Sequence, residues 1–269
     1  MILRRNHSVY GYINEIHLQL SNFGYAVGKT EWAAKNAPDN MVYSRLWYII
    51  SGDPYIISNG SKIYLKPGNC YLLPTGYPFG YSCDSSIEQL YFHINLNDMC
   101  GMDILRNLSQ IIEYTPSLED VEMMKKCVES ELVTDSLILK ELLYKTLNVI
   151  FKKYDIQPTV MRYSAPVFHA ISYIQSNLSA QMKVSNVAAN AFTSVSTLSH
   201  QFKKETGMTI KNFINRALMF EVELLIRQTN LPINEIGDRL GFSDKSYFSR
   251  KFKSIYGLSP QEYRKQKPF

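Results

Sequence analysis

Between about residues 8 and 98 the apolar positions come in short runs rich in Tyr, Val and Ile, each closed by turn residues. Leu46-Trp47-Tyr48-Ile49-Ile50 precedes Ser51-Gly52-Asp53-Pro54, and Tyr55-Ile56-Ile57 precedes Ser58-Asn59-Gly60-Ser61, where Asn-Gly signals a hairpin. Lys62-Ile63-Tyr64-Leu65 then meets Pro67-Gly68, Cys70-Tyr71-Leu72-Leu73-Pro74 meets Thr75-Gly76, and Glu88-Gln89-Leu90-Tyr91-Phe92-His93-Ile94 closes the series. Short strands at this spacing predict a barrel or a double-sheet jelly roll. The period then changes. Val121, Met124, Val128 and Leu132, and after them Leu139, Leu143, Leu147 and Ile150, recur at helical spacing and predict amphipathic helices near 117–133 and 136–153. The stretch from Asp155 to Pro166, which also contains Pro158, reads as a linker. The expected organisation is a β domain over 1–155, a linker over 156–165 and a second domain over 166–269.

The second domain reads as all helix. Pro166 suits a first helical turn, and the helix it opens runs to about Asn177. Val184, Val187, Ala188 and Ala191 mark a short helix, and Ser194 is a good N-cap for a third. The stripe Ile210, Phe213, Ile214, Ala217, Leu218, Glu221, Leu224, Leu225 predicts a long fourth helix with Glu221 as its polar interruption. Pro232 opens a fifth and Gly241 ends it; Ser243 or Asp244 caps a sixth, which Gly257 stops. Ser259-Pro260-Gln261-Glu262 is a capping box with Pro at the first helical position, so a seventh starts there.

Within these helices one pattern occurs twice, fifty positions apart. Ser196/Ser246, Ser199/Ser249, Phe202/Phe252, Lys203/Lys253 and Gly207/Gly257 are identities at that offset, and Leu198/Phe248 and Phe213/Tyr263 are apolar matches. A short helix, a turn and a second helix is the helix-turn-helix arrangement. In each copy the second helix needs one side for the core, Leu198 and Phe202 or Phe248 and Phe252, and one for a groove. The candidate DNA-binding residues are Ser194, Ser196, Thr197, His200, Gln201, Lys203 and Lys204, then Lys245, Ser246, Tyr247, Arg250, Lys251 and Lys253. Arg pairs with guanine, Gln with adenine, and Ser, Thr and Lys take bases or phosphates. A helix from Ile210 to Arg227 is about 27 Å long at 1.5 Å per residue, a length that holds two such helices about one DNA turn apart, so that one chain enters two successive major grooves.

Charge sharpens this picture. The chain of 269 residues has a net charge of +5, with 45% hydrophobic and 20% charged residues, as in an ordinary globular protein. Residues 1–165 hold 15 Lys/Arg against 17 Asp/Glu, a balance of −2, whereas 166–269 hold 14 against 7, a balance of +7. The positive excess therefore belongs to the helical domain and favours a polyanionic partner there. Cys70, Cys83, Cys100 and Cys127 show no CxxC spacing and read as reduced thiols of a cytoplasmic protein. Residues 1–10 hold no apolar core of a signal peptide, and no apolar run reaches the roughly 18 residues of a membrane span.

The helical domain resembles the DNA-binding domain of the AraC/XylS family of bacterial transcription regulators. The resemblance is carried by Pro232-Ile233-x-Glu235-Ile236, Gly241-Phe242-Ser243-Asp244, Ser246-Tyr247-Phe248-Ser249-Arg250-x-Phe252-Lys253, Tyr256-Gly257-x-Ser259-Pro260 and Glu262-Tyr263-Arg264. The first copy departs more: Thr193 stands where the family has an apolar residue, and in the second copy Gly237 stands where a small Ala is usual. The β segment resembles the cupin-like sensor domain joined to this DNA-binding domain, through Tyr48-Ile49-Ile50-Ser51-Gly52, Leu65-Lys66-Pro67-Gly68-Asn69, Leu72-Leu73-Pro74 and Tyr91-Phe92-His93. The implied architecture is α+β: a cupin-like barrel with two following helices, then an all-α domain with two helix-turn-helix motifs. The implied function is sequence-specific transcription regulation by a cytoplasmic, nucleoid-associated homodimer, with double-stranded DNA, a small-molecule effector and RNA polymerase as partners.

His93 and His17 are the histidines of the predicted barrel, with no His-x-His, and Pro78-Phe79-Gly80-Tyr81 replaces the Pro-His-x-Tyr of many sensors, so no metal and no cofactor is expected. Trp32, Arg45, Trp47, Tyr48 and His93 form a candidate pocket for a sugar or other small molecule, because aromatic faces pack on apolar sugar faces and Arg and His supply polar handles. Leu139, Leu142, Leu143, Leu147 and Ile150 are the expected dimer contact, as such helices form in related proteins. Three readings are open: a ligand-responsive regulator, a cupin-type metal enzyme with a helical appendage, and a ligand-independent DNA-binding dimer.

Overall fold

The computed structural model describes residues 16–33, 43–98, 101–156 and 163–265. Most of the expected linker and Cys100 lie outside the described residues. The chain forms two compact units. Unit 1 holds the strands and the two helices that follow them; unit 2 holds Asp98–Met102 and all helices from Ala165 onward.

Unit 1 contains β1 (His17–Lys29), β2 (Ser44–Ser58), β3 (Ser61–Tyr64), β4 (Cys70–Leu73), β5 (Gly80–Asn97) and β6 (Ile112–Tyr114). They pair antiparallel in the order β1-β5-β2-β4-β6, with β3 on β2. Helices α1 (Leu118–Val128) and α2 (Val133–Lys153) follow. The expected hairpin at Asn59-Gly60 forms, with φ of 50° and 76° at the two residues, and Ser58 faces Ser61 across it. The expected break at Ser51-Gly52-Asp53-Pro54 does not occur. Two register shifts, between Ile49 and Ser51 and between Gly52 and Pro54, carry β2 through as one strand paired to β5. Gly52 permits this: its φ is 99°, and a Cβ there would stand 2.2 Å from the Ser86 carbonyl oxygen.

The period of two sorts β2 between the faces of the sheet. Leu46 lies opposite Leu72 and Phe92, and Tyr48 opposite Cys70 and Leu90, on one face. Helix α2 covers that face: the Tyr48 hydroxyl donates to Thr146 Oγ1 at 2.8 Å, and the Leu18 amide donates to the Tyr144 hydroxyl at 2.9 Å. Leu139, Leu143, Leu147 and Ile150 are buried within this unit, and Leu142 is half-buried. The four buried side chains of the expected dimer contact pack inside one chain, whereas Val133 and Leu137 of the same helix are exposed.

Unit 2 contains α3 (Ala165–Ser176), α4 (Val184–Asn190), α5 (Val195–Thr206), α6 (Ile210–Gln228), α7 (Ile233–Arg239), α8 (Lys245–Tyr256) and α9 (Pro260–Lys265). Leu198 and Phe202 of α5 are buried with Val167, Ile171 and Ile174 of α3, Val187 and Ala188 of α4, and Phe213 and Ile214 of α6 in one core. In the second copy Phe248 and Phe252 are buried, and Phe252 packs against Tyr256 and Tyr263 at 4.4 and 5.3 Å between ring centroids. The two copies need opposite sides of α6, so its buried face rotates along its length. It runs through Ile210, Phe213, Ile214 and Leu218, then Met219, Val222, Glu223 and Ile226. The buried acid is therefore Glu223, while Glu221 is only partly covered.

Candidate nucleic-acid interface and effector face

Each repeat builds the same device from local signals. Helices α4 and α7 have seven residues each, and α5 and α8 have twelve each. The turn before α5 passes through Phe192 at φ 53°, and the turn before α8 through Gly241 at φ 76°. Ser194 caps α5, its Oγ accepting the Thr197 amide at 3.1 Å. Asp244 caps α8, its Oδ1 accepting the Ser246 and Tyr247 amides at 2.7 and 3.0 Å. The Tyr247 amide bond is the largest of the influences holding the Asp244 carboxyl below the ordinary carboxylate range, so the cap is ionised at neutral pH. Both helices stop at left-handed glycines, Gly207 and Gly257.

With Leu198, Phe202, Phe248 and Phe252 buried, the other sides of α5 and α8 face outward. Ser194, Ser196, Thr197, His200, Lys203 and Lys204 are exposed and Gln201 is half-buried; Lys245, Ser246, Tyr247, Arg250 and Lys253 are exposed and Lys251 is half-buried. Three of these have side-chain hydrogen bonds within the unit. Ser194 Oγ serves the cap and is 2.8 Å from Thr197 Oγ1, and Lys251 Nζ donates to Asn215 Oδ1 of α6 at 2.6 Å. The chemistry differs between copies. Helix α8 carries Lys245, Arg250, Lys251 and Lys253 with no acid, whereas α5 carries Lys203 and Lys204 beside Glu205.

The two copies also touch each other within unit 2. The Ala180 amide, in the connection before α4, donates to the Leu240 carbonyl in the turn before α8 at 2.8 Å. A Cβ at Gly241 would stand 2.4 Å from Ser179 Oγ. The close approach fixes the second turn against the first copy.

In unit 1 the other face of β2 carries Arg45 and Trp47. Arg45 lies opposite Leu73 and His93, and Trp47 opposite Tyr71 and Tyr91. Trp32 packs edge-on to Trp47 at 5.5 Å and lies 4.6 Å from Tyr81. The Arg45 guanidinium carbon is 5.0 Å from the Phe79 ring centroid, 5.6 Å from Tyr43 and 5.8 Å from Trp47. Tyr43 stacks on His93 at 4.2 Å. Four of the five expected pocket residues, Trp32, Arg45, Trp47 and His93, thus share this aromatic face. Tyr48 does not: one residue along the strand reverses its direction, and it is fully buried against Phe92 and Thr146. Its burial pushes the phenol well above its ordinary pKa.

Residues 187–266 match a family model described as a helix-turn-helix domain. The arabinose operon regulatory protein of Salmonella typhimurium is 32% identical over 233 residues, covering 80% of this chain and 81% of that protein. The Msm operon regulatory protein of Streptococcus mutans is 24% identical over 272 residues, covering 94% of this chain and 95% of its own. Among solved structures, unsaturated-fatty-acid-bound ToxT from Vibrio cholerae has a TM-score of 0.63 at 17% identity, covering 93% of this chain and 95% of that one, a likeness of fold.

The chain belongs to the AraC family of transcription regulators. It is a DNA-binding regulator with an antiparallel sheet domain and helices ahead of an all-helical domain with two helix-turn-helix motifs. Its relatives are transcription regulators rather than enzymes. Among the described residues no helix is long and apolar enough to cross a membrane.

For this AraC-family chain, sequence reasoning missed Tyr43, Phe79 and Tyr81 as members of the aromatic face. A signal for two of them is present: Phe79 and Tyr81 are two apart in Pro78-Phe79-Gly80-Tyr81, an interval that turns both rings to one side of an extended chain, and both pack against Trp47. It also missed the anchor of the second copy. Glu223 is fully buried on α6, accepts a short hydrogen bond from the Tyr263 hydroxyl, and pairs with Arg227 Nε at 3.3 Å. Burial is the largest influence on its carboxyl and raises its pKa against the lowering effect of those partners.

Proposed function

We propose that this regulator reads two successive major grooves, one with α5 and one with α8, and that a small molecule on the aromatic face of unit 1 alters how tightly it does so. The observation that carries this reading is the duplicated device: two capped twelve-residue helices with buried Leu/Phe or Phe/Phe ridges and outward polar, basic faces. Helix α8 supplies mainly phosphate contacts and guanine readout by Arg250, whereas α5 supplies the more discriminating polar set, Ser196, Thr197, His200 and Gln201. The effector reading is supported by four candidate residues sharing one face, and by the arabinose operon regulatory protein among the relatives. The effector acts by population shift, favouring the arrangement it binds better.

The test is genome-wide binding-site mapping with the full chain, followed by titration of a mapped site with and without metabolites of the neighbouring genes. The expected site contains two conserved blocks about 10 base pairs apart, one lost on changing His200 and Gln201 to Ala and the other on Arg250→Ala. A single short block, unaffected by changes in α5, would overturn the two-groove reading. Affinity unchanged by every such metabolite would overturn the effector reading.

A further inference from the structure

We propose that the aromatic face of unit 1 takes a ligand bearing an anionic group, a carboxylate or a phosphate, and that Arg45 pairs with that group. This rests on the reading that the face is a small-molecule site and names the ligand's chemistry. Arg45 retains 7% of its exposure. A guanidinium presents five N–H donors and stays charged at any physiological pH, and none of the Arg45 nitrogens is both fully buried and unpartnered, so its donors keep an opening through which an acceptor can reach them. Among the described residues no carboxylate pairs with Arg45, and no acceptor receives a hydrogen bond from its side chain.

The acids of unit 1 that might have served are engaged elsewhere. Glu88 receives hydrogen bonds from Tyr25 and Ser51, Asp103 from Thr75 and the Leu96 amide, and Glu113 from Tyr71 and Asn69. What surrounds the guanidinium instead is three rings. Phe79, Tyr43 and Trp47 lie at 5.0, 5.6 and 5.8 Å, and their faces favour a nearby cation but leave its in-plane N–H groups unanswered. The face therefore sets a reachable cation among apolar rings, with no carboxylate partner among the described residues. A neutral sugar would answer some donors with hydroxyls but leave the charge uncompensated. A carboxylate or phosphate answers both, with its apolar body against Trp32 and Tyr81, the half-buried rings of the face.

The chain's two tryptophans are Trp32 and Trp47, both at this site, so tryptophan emission of the full chain reports on it directly. Phenylacetate, phenyl phosphate and the neutral phenylacetamide are titrated at constant ionic strength into the wild type, Arg45→Gln and Arg45→Lys, each first shown to have a cooperative melting transition. The expected result is a saturable emission change with at least one acid, at least tenfold weaker with phenylacetamide, lost in Arg45→Gln and partly kept in Arg45→Lys. The acid that wins separates carboxylate from phosphate. Equal response to phenylacetamide, or an undiminished response in Arg45→Gln, would overturn the anion and leave the ligand site standing. No saturable response to any of the three in the folded wild type would overturn both. The wild-type comparison decides the matter even if Arg45→Gln does not fold.

Discussion

Replacing Tyr263 with Phe removes one oxygen atom from the anchor of the second helix-turn-helix, and the structure sets the size of the effect. The Tyr263 hydroxyl donates to Glu223 Oε1 and accepts from Arg227 Nη2 at 2.6 Å. The ring itself packs on Phe252 and lies 4.6 Å from the Arg227 guanidinium, contacts that Phe retains. The substitution therefore isolates two hydrogen bonds to charged partners, each worth about 1.5–3 kcal/mol net. Their sum is not realised in full. Glu223 keeps Arg227 Nε at 3.3 Å, and a carboxyl already raised in pKa by burial takes up a proton more readily than it endures an uncompensated charge.

The expected cost is about 2–3 kcal/mol at pH 7, which for a unit near 100 residues lowers the transition by roughly 10 °C or more. Thermal unfolding of the full chain, followed by helical circular dichroism, measures it, with Tyr247→Phe as a comparison. Tyr247 is an exposed residue of the same unit and lies outside the Glu223 network. A Tyr263→Phe shift no larger than that of Tyr247→Phe would refute the view that the buried charged network anchors this copy.

Three further predictions concern the same unit. Because the Glu223 pKa is raised in the folded chain, its contribution to stability is fullest below the unfolded value of about 4.3 and is lost as pH rises through the native value; lowering the pH from 7 toward 5 should stabilise the wild type relative to Glu223→Gln, and parallel pH profiles for the two would contradict this. Arg250→Ala should weaken binding to the mapped site by about 1–3 kcal/mol and relax base preference in one block if Arg250 reads a base, as a competition titration with base-substituted sites would measure; unchanged affinity and preference would remove that role. Gly241→Ala places a methyl 2.4 Å from Ser179 Oγ at a φ of 76°, a conformation costing a β-carbon about 1–3 kcal/mol; it should lower stability and weaken binding to the two-block site more than to an isolated α8 block, and equal weakening of both would show that the turn contact does not set the spacing of the helices.

The helical domain was readable because its determinants are local. Ser194 and Asp244 lie at the caps, Gly207 and Gly257 at the stops, and Ser259 with Glu262 forms the capping box, with Glu262 accepting the Ser259 amide at 2.8 Å. Helical periodicity also identified Leu198, Phe202, Phe248 and Phe252 as the ridges. It failed where two partners compete for one helix. The stripe read along α6 assumed one buried face, whereas the two copies bury different sides, and this hid Glu223.

In the sheet, by contrast, what decides a residue's role lies far away in sequence. Tyr48 and Arg45 both looked like pocket residues, and only pairing to β4 and β5 shows that an odd separation puts them on opposite faces. The bulges at Ile49/Ser51 and Gly52/Pro54 depend on Gly52 meeting Ser86, 34 positions on, so an apparent turn became the middle of a strand. The apolar stripe of α2 is visible, but a stripe does not state what it covers, and within one chain it covers the sheet's Leu46/Tyr48 face. Arg45 lies on the opposite face of the sheet from the one α2 covers, and Glu88, Asp103 and Glu113 accept hydrogen bonds from Ser51, Thr75 and Tyr71. Ring faces stabilise a guanidinium without satisfying its in-plane donors, so a cation held there without a protein carboxylate suits an anionic ligand.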